Sequence, residues 1–283
     1  MNIPTPIGRR YDAHNHLHDA RLKEQRTQIL SAIEQEGVEL MVVNGSCESD
    51  WGEVRELARR SPRVLPSFGY HPWYVRERTG NWLKELRVYL DQGPSAVGEI
   101  GLDRWIQDAD LPAQEEVFVA QLRLAAERNL PVSIHCLRAW GRLFELLRSE
   151  PRPRCGFLLH SYGGPVEMVA ALAALGAYFS FPGYYLNERK ERQRETFRQV
   201  PADRLLLETD APDQPLPAGM IRYPMANDAS GRPVNHPANI GVVYERLAKW
   251  LGEPQEKLTV RVEENFRRLF EPVLSGRAST PEA

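Results

Sequence analysis

The residues best suited to chemistry are imidazoles and carboxylates, beginning with Asp12-Ala13-His14-Asn15-His16-Leu17-His18 near the N-terminus. Side chains on a β-strand alternate between its faces, so His14 and His16 project to the same side. Two imidazoles offered in parallel from a rigid strand suit a divalent transition metal. Taken alone the motif is weak, since histidines also occur as surface polar positions. The same residue types recur further on, each just after a short apolar run. They are His71 in Gly69-Tyr70-His71-Pro72-Trp73, Glu99 and Asp103 in Gly98-Glu99-Ile100-Gly101-Leu102-Asp103, His135 before Cys136, His160 before Ser161, and Asp210 in Glu208-Thr209-Asp210.

The elements that must position these groups follow from periodicity. Apolar runs at 11–14, 40–44, 65–70, 96–99, 132–135, 156–160, 177–181 and 205–208 read as eight strands. Between them, near 22–36, 51–60, 82–91, 113–129, 139–148, 165–175 and 189–199, apolar residues fall at helical spacing. Two more helices, 237–251 and 255–270, close the chain. Strands alternating with helices imply parallel pairing, and eight units in this length predict a (β/α)8 TIM barrel. No Gly-rich phosphate fingerprint follows an early strand, which counts against an open doubly wound sheet. One barrel is expected over residues 1–270, with 271–283 a flexible C-terminal tail. A Pro/Gly/Asp-rich loop from Ala211 to Asn235 follows the last strand, where it is expected to reach the active-site mouth.

In such a barrel the catalytic face is the C-terminal edge of the strands. That edge would gather four histidines, His14, His16, His135 and His160, with two carboxylates, Glu99 and Asp210. Six ligands exceed what one tetrahedral catalytic site with an open position needs. They fit two metals about 3.5–4 Å apart sharing a carboxylate. His14, His16 and Asp210 would hold one ion, His135 and His160 the other, with Glu99 bridging. The imidazoles favour zinc, manganese, iron or nickel over magnesium.

Composition bounds the rest. The 283 residues are 42% hydrophobic and 26% charged, as in an ordinary globular protein. No apolar run approaches the roughly 20 residues needed to span a bilayer, so no membrane partner is expected. The N-terminus carries no apolar signal-peptide core. Three widely spaced cysteines form neither a disulfide framework nor a zinc knuckle, and a cytoplasmic setting is expected. A net charge of −2 gives no whole-molecule attraction to nucleic acid. Oligomeric state is left open, a monomer being the simpler expectation.

The motifs in order, Asp12-x-His14-x-His16, Gly98-Glu99-Ile100-Gly101-Leu102-Asp103, Leu130-Pro131-Val132-x-Ile134-His135, His160-x-x-Gly163, Glu208-Thr209-Asp210-Ala211-Pro212 and Asn265-x-x-x-Leu269-Phe270, resemble the TatD family. Its members are metal-dependent hydrolases of the amidohydrolase superfamily, generally described as deoxyribonucleases and commonly assayed with magnesium. The resemblance implies metal roles for His14, His16, Glu99, His135, His160 and Asp210. Two departures stand out: Asn235-His236-Pro237 replaces the Asn-Glu-Pro of many members, and the loop after Asp210 is longer than usual.

The expected activity is phosphodiester hydrolysis, with DNA or another phosphodiester as substrate. A metal-activated water attacks and Asp210 takes its proton while ligating one ion. The resemblance implies that His71 contacts the phosphate, the bland alternative being a packing histidine. Asp103 would serve the substrate side by orienting a metal-bound water or His135, or would cap the next segment. Arg138 could bind a phosphate oxygen as a fork, or be an exposed helix-start arginine. His18 is expected on the rim, Cys136 in packing, and residues 189–194 on a solvated helix face. The competing readings are an ester or amide hydrolase of the same superfamily, lactonase or deacylase in type, and a non-catalytic metal-binding protein. Binuclear ester and amide hydrolases often bridge their metals with a carbamylated lysine. None of Lys23, Lys84, Lys190, Lys249 and Lys257 lies at a strand end.

Overall fold

The computed structural model describes residues 8–278. The strands are Arg10–Asn15 (β1), Val38–Asn44 (β2), Val64–Phe68 (β3), Ala96–Asp103 (β4), Val132–Leu137 (β5), Phe157–Leu159 (β6), Ala177–Pro182 (β7) and Leu205–Glu208 (β8). They are nearly continuous apolar runs because each is covered on both faces of the sheet. Every strand pairs in parallel with the next, in the order β1 to β8. The sheet then curls back on itself. Asp210 N donates to His14 O at 3.0 Å, and His16 N donates to Ala211 O at 2.7 Å. The buried Asp12 carboxylate reinforces this seam by accepting from Thr209 N at 3.0 Å and Thr209 Oγ1 at 2.6 Å. The expected (β/α)8 barrel is the observed fold.

Helices surround the barrel: Arg26–Gln35 (α1), Trp51–Arg60 (α2), Trp82–Asp91 (α3), Leu111–Arg128 (α4), Trp140–Ser149 (α5), Val169–Ala174 (α6), Glu191–Thr196 (α7), Ile240–Leu251 (α8) and Gln255–Ala278 (α9). In α4 the local logic is plain. Asp110 caps it by accepting from Ala113 N, Pro112 sits in the first turn, and left-handed Asn129 at φ 51° ends it. Its buried face includes Val117, Phe118, Gln121, Leu122, Leu124 and Ala125, within the 113–129 stretch of helical spacing. Three stretches expected as single helices instead begin with 3-10 turns, at Ala20–Gln25, Val166–Met168 and Glu188–Lys190. Apolar spacing alone does not separate i→i+3 from i→i+4 bonding.

Other boundaries also differ from expectation. Helix α9 continues to Ala278, so residues 271–278 are not tail. Phe266, Leu269, Phe270 and Val273 keep one buried stripe at helical spacing through Pro272. Arg277 Nη2 then donates to Val64 O at 2.9 Å. Residues 279–283 of the expected tail lie outside the described residues. Strand β4 runs four residues beyond Glu99, to Asp103, with its pairing to β5 shifted between Val97 and Ile100. Gly101 permits that approach: at φ 154°, a Cβ there would lie 1.9 Å from His135 O.

The loop from Ala211 to Asn235 holds one 3-10 turn, Ala218–Met220. Only its start reaches the mouth, through Asp213 and Gln214. The remainder is fastened along the flank. Asn239 Oδ1 accepts from Arg222 N at 3.1 Å and Tyr223 N at 2.9 Å, and Tyr223 OH donates to Glu36 Oε1 at 2.9 Å. Leu216 and Val234 are buried. No described helix is long and apolar enough to cross a membrane.

Candidate metal centre

His14 lies on β1 and His16 immediately follows it. His14 Nδ1 meets Ser133 Oγ of β5 at 2.7 Å, and His16 Nδ1 meets Asn44 O of β2 at 2.8 Å. A carbonyl oxygen can only accept, so a neutral His16 carries its proton on Nδ1 and keeps Nε2 for a cation. The two Nε2 atoms converge to 3.3 Å. Glu99 Oε2 stands 3.4 Å from the first and 3.2 Å from the second, and Asp210 Oδ1 is 3.6 Å from each. Donors bound at about 2.0–2.2 Å to one tetrahedral ion stand roughly 3.3–3.6 Å apart. These four atoms therefore have the spacing of a ligand set.

The other Glu99 oxygen serves a second group. Oε1 lies 2.8 Å from His160 Nε2, 3.0 Å from His135 Nδ1 and 3.4 Å from His71 Nε2. His135 Nε2 faces Asp103 Oδ2 at 3.1 Å, so a neutral His135 carries its proton on Nε2 and keeps Nδ1 for a cation. His135 Nδ1 and His160 Nε2 are 3.2 Å apart. His71, Glu99 and His135 are also close enough to share an ion. However, His71 Nδ1 accepts from Trp73 N at 3.2 Å, so a neutral His71 carries its proton on Nε2 and donates there. That tautomer suits a phosphate oxygen better than a cation.

Burial sets the electrostatics. It pushes Asp210 up to about 7, helped by the charges of Glu208 and Glu99. It pushes His71 down to about 4, and His14 likewise, with His160 adding to the effect on His14. Burial alone would also depress His16, but Glu99 and Asp210 outweigh it and lift His16 to about 9. His135 is raised by Asp103 and Glu99 against burial, and His160 is raised well above its ordinary value by Glu99 and Glu208. Burial would raise Glu99, yet His71, His160 and His14 hold it well below the carboxylate range. Both ends of Glu99 thus draw positive charge onto the imidazole nitrogens that face them, charge that a divalent cation would supply in place of protons. Such a donor set fits divalent cations.

A cavity of about 930 Å³ opens over the cluster, lined by His16, His71, Glu99, His135, His160 and Asp210 among others. Asp103 does not face it as a substrate contact would. It is fully buried, and besides His135 its carboxylate accepts from Trp73 Nε1 and Trp105 N, both at 2.6 Å. Arg138 does not line the cavity; its guanidinium lies 3.9 Å over the Trp105 ring. His18 is at the rim as expected, 3.3 Å from Asp50 Oδ2. Cys136 is buried, which raises its thiol pKa far above the usual range. Within the segment expected to be solvated, Lys190 lines the cavity. His236 stands apart, its Nδ1 accepting from Ala238 N at 3.0 Å and its ring stacked on Tyr223.

Two residues near the cluster escaped the sequence reading. Glu208, fully buried, accepts from the Ser161 and Ser180 hydroxyls. It also faces His160 Nδ1 at 3.6 Å, too long for a hydrogen bond but close enough for its charge to act. Its two-residue offset from Asp210 was a usable signal. Gln214 donates through Nε2 to Asp210 Oδ2 at 2.6 Å and to Ser161 Oγ at 2.7 Å. A left-handed backbone at φ 51° places it there, and nothing in the sequence pattern announced that.

A parallel barrel with these donors at its mouth is the architecture of a metal-dependent hydrolase, and relatives narrow the class. Residues 11–271 match the family described as TatD related DNase. The 3'-5' ssDNA/RNA exonuclease TatD of Escherichia fergusonii is 30% identical over 269 residues, covering 92% of this chain and 98% of the relative. An uncharacterized metal-dependent hydrolase, YabD of Bacillus subtilis, is 27% identical over 263 residues, covering 92% and 98%. The crystal structure of YjjV, a TatD homologue from Escherichia coli K12, superposes with a TM-score of 0.83 at 28% identity, covering 94% of this chain and 99% of that one. The chain belongs to the TatD related DNase family.

Proposed function

We propose that this protein hydrolyses phosphodiester bonds in single-stranded nucleic acid, using two divalent cations. His14, His16 and Asp210 would hold one and His135 and His160 the other, with Glu99 between them. The observation that carries this reading is Glu99 itself, whose two oxygens each meet a separate group of imidazole nitrogens at 2.8–3.4 Å. Names borne by relatives, 3'-5' ssDNA/RNA exonuclease among them, support a nucleic-acid substrate. The imidazole-rich donors favour zinc, manganese, iron or nickel, with magnesium the alternative.

Cations bound there would bring the pKa of a coordinated water towards about 7 and offset charge building on phosphate oxygens. The chain's own groups do the rest. Gln214 pins Asp210 Oδ2 and leaves Oδ1 facing the cluster, so Oδ1 is where a proton from the attacking water would arrive. His71 offers Nε2–H to a phosphate oxygen. Asp103 orients His135 from behind by a hydrogen bond, and the Glu208 charge acts on His160 across 3.6 Å. A cytoplasmic setting accords with three free cysteines.

The test compares single-stranded DNA with an aryl ester, each with added metal and with chelator. Cleavage of the DNA that chelator stops, and that Asp210→Asn abolishes without loss of fold, is the expected result. Metal-dependent cleavage of the ester alone overturns the reading.

A further inference from the structure

Two of the most exposed large apolar side chains line the cavity: Trp73, 52% exposed, and Trp105, 62% exposed. Neither is loose. Both are tied to the single buried carboxylate of Asp103, Trp73 through its indole Nε1–H and Trp105 through its backbone N–H. Asp103 in turn holds His135. The Trp73 ring is 5.0 Å from the His71 ring and 6.4 Å from the His135 ring, centroid to centroid. Indoles this exposed give up the apolar burial that aromatic residues usually supply, so their rigid placement beside the cluster calls for an occupant.

We infer that Trp73 and Trp105 form a stacking platform for a nucleobase next to the scissile phosphate. This inference rests on the nuclease reading above and adds which part of the strand the mouth grips. Aromatic faces accept any base by stacking, and a stack joined to a cationic group is how single strands are held without sequence preference. Arg138 supplies that cation. It lies outside the cavity, covers Trp105 and makes no ion pair among the described residues, so a strand that leaves the cavity past that indole meets its uncommitted donors. The platform also has a mechanical link to the reaction centre. Asp103 fixes the Trp73 indole, the Trp105 backbone and His135, so a base seated against Trp73 is registered against the cluster.

Trp105→Ala isolates the stacking, because any residue's backbone N–H can still bond Asp103. Binding is read by fluorescence anisotropy in chelator, where no strand is cleaved, using an oligothymidylate and a matching strand with abasic residues at its 3' end. The expected result is about tenfold or more weaker binding of the base-containing strand to the variant, with the abasic strand bound equally by both proteins. Equal weakening of both strands, or of neither, overturns the platform. Hydrolysis by the unaltered protein with metal separates the two ideas. Cleaved strands with no base effect sink the platform and leave the nuclease reading. Strands neither bound nor cleaved sink both.

Discussion

The two ends of Glu99 are built alike in front and differently behind. On the β1–β8 side, His14 and His16 rest their rear nitrogens on neutral groups, the Ser133 hydroxyl at 2.7 Å and the Asn44 carbonyl at 2.8 Å. On the β5–β6 side, the rear nitrogens of His135 and His160 face carboxylates, Asp103 at 3.1 Å and Glu208 at 3.6 Å. A carboxylate behind an imidazole makes it more basic and fixes its tautomer, so it is a stronger donor to a cation. The contrast teaches a division of labour. On the two-cation reading proposed above, the carboxylate-backed side should grip its cation, while the neutral-backed side, next to Asp210, should hold more weakly where protons must move.

Glu99 belongs to both sides, so removing its charge should have the largest effect. Glu99→Gln keeps the shape and leaves imidazole nitrogens without their shared anion. Hydrolysis should fall by about a thousandfold or more, and metal content measured on the folded protein should drop on both sides. A variant that retains both cations and loses less than tenfold in kcat/KM would show that the two sides work without a common hub.

The next effect should be confined to one side. Asp103→Asn keeps an oxygen for Trp73 or Trp105 but no longer backs His135 with charge. Metal affinity on the β5–β6 side should fall by about 10- to 100-fold, with the other side unchanged. Titration with a spectroscopically visible cation such as cobalt separates the two. Equal weakening of both sides would erase the distinction between them.

How much of this contrast was legible beforehand follows from what each part depends on. The donors in front were readable, because strand alternation pairs His14 with His16 and barrel topology brings strand ends together. The eight strands were readable because buried parallel strands are continuous apolar runs. Most of the backing groups were not. Ser133 is an ordinary polar residue inside β5, and its role exists only because β1 and β5 face each other across the barrel. Asp103 was legible in part: orienting His135 was among its expected roles, as a substrate-side residue, but the sequence gives no sign that β4 continues four residues past Glu99 and carries it inward. Gln214 depends on a left-handed turn, and the long loop proved tied to Glu36, a residue 187 positions from Tyr223. Apolar spacing reports which elements form; these contacts depend on a turn's handedness or are made across the barrel and between distant segments.

The smallest effect tests the neutral side directly. Ser133→Ala removes only the hydroxyl behind His14 and keeps the Cβ against which Gly98 packs. A neutral hydrogen bond is worth about 0.5–1.5 kcal/mol net, so metal affinity on this side should weaken by roughly two- to tenfold. The loss should be recoverable by raising the metal concentration, because the donors in front remain. Metal-dependence curves of hydrolysis for this variant and for Asp103→Asn then rank the two backings. If Ser133→Ala costs as much as Asp103→Asn, the charge behind an imidazole is not what separates the two sides, and ring positioning alone governs both.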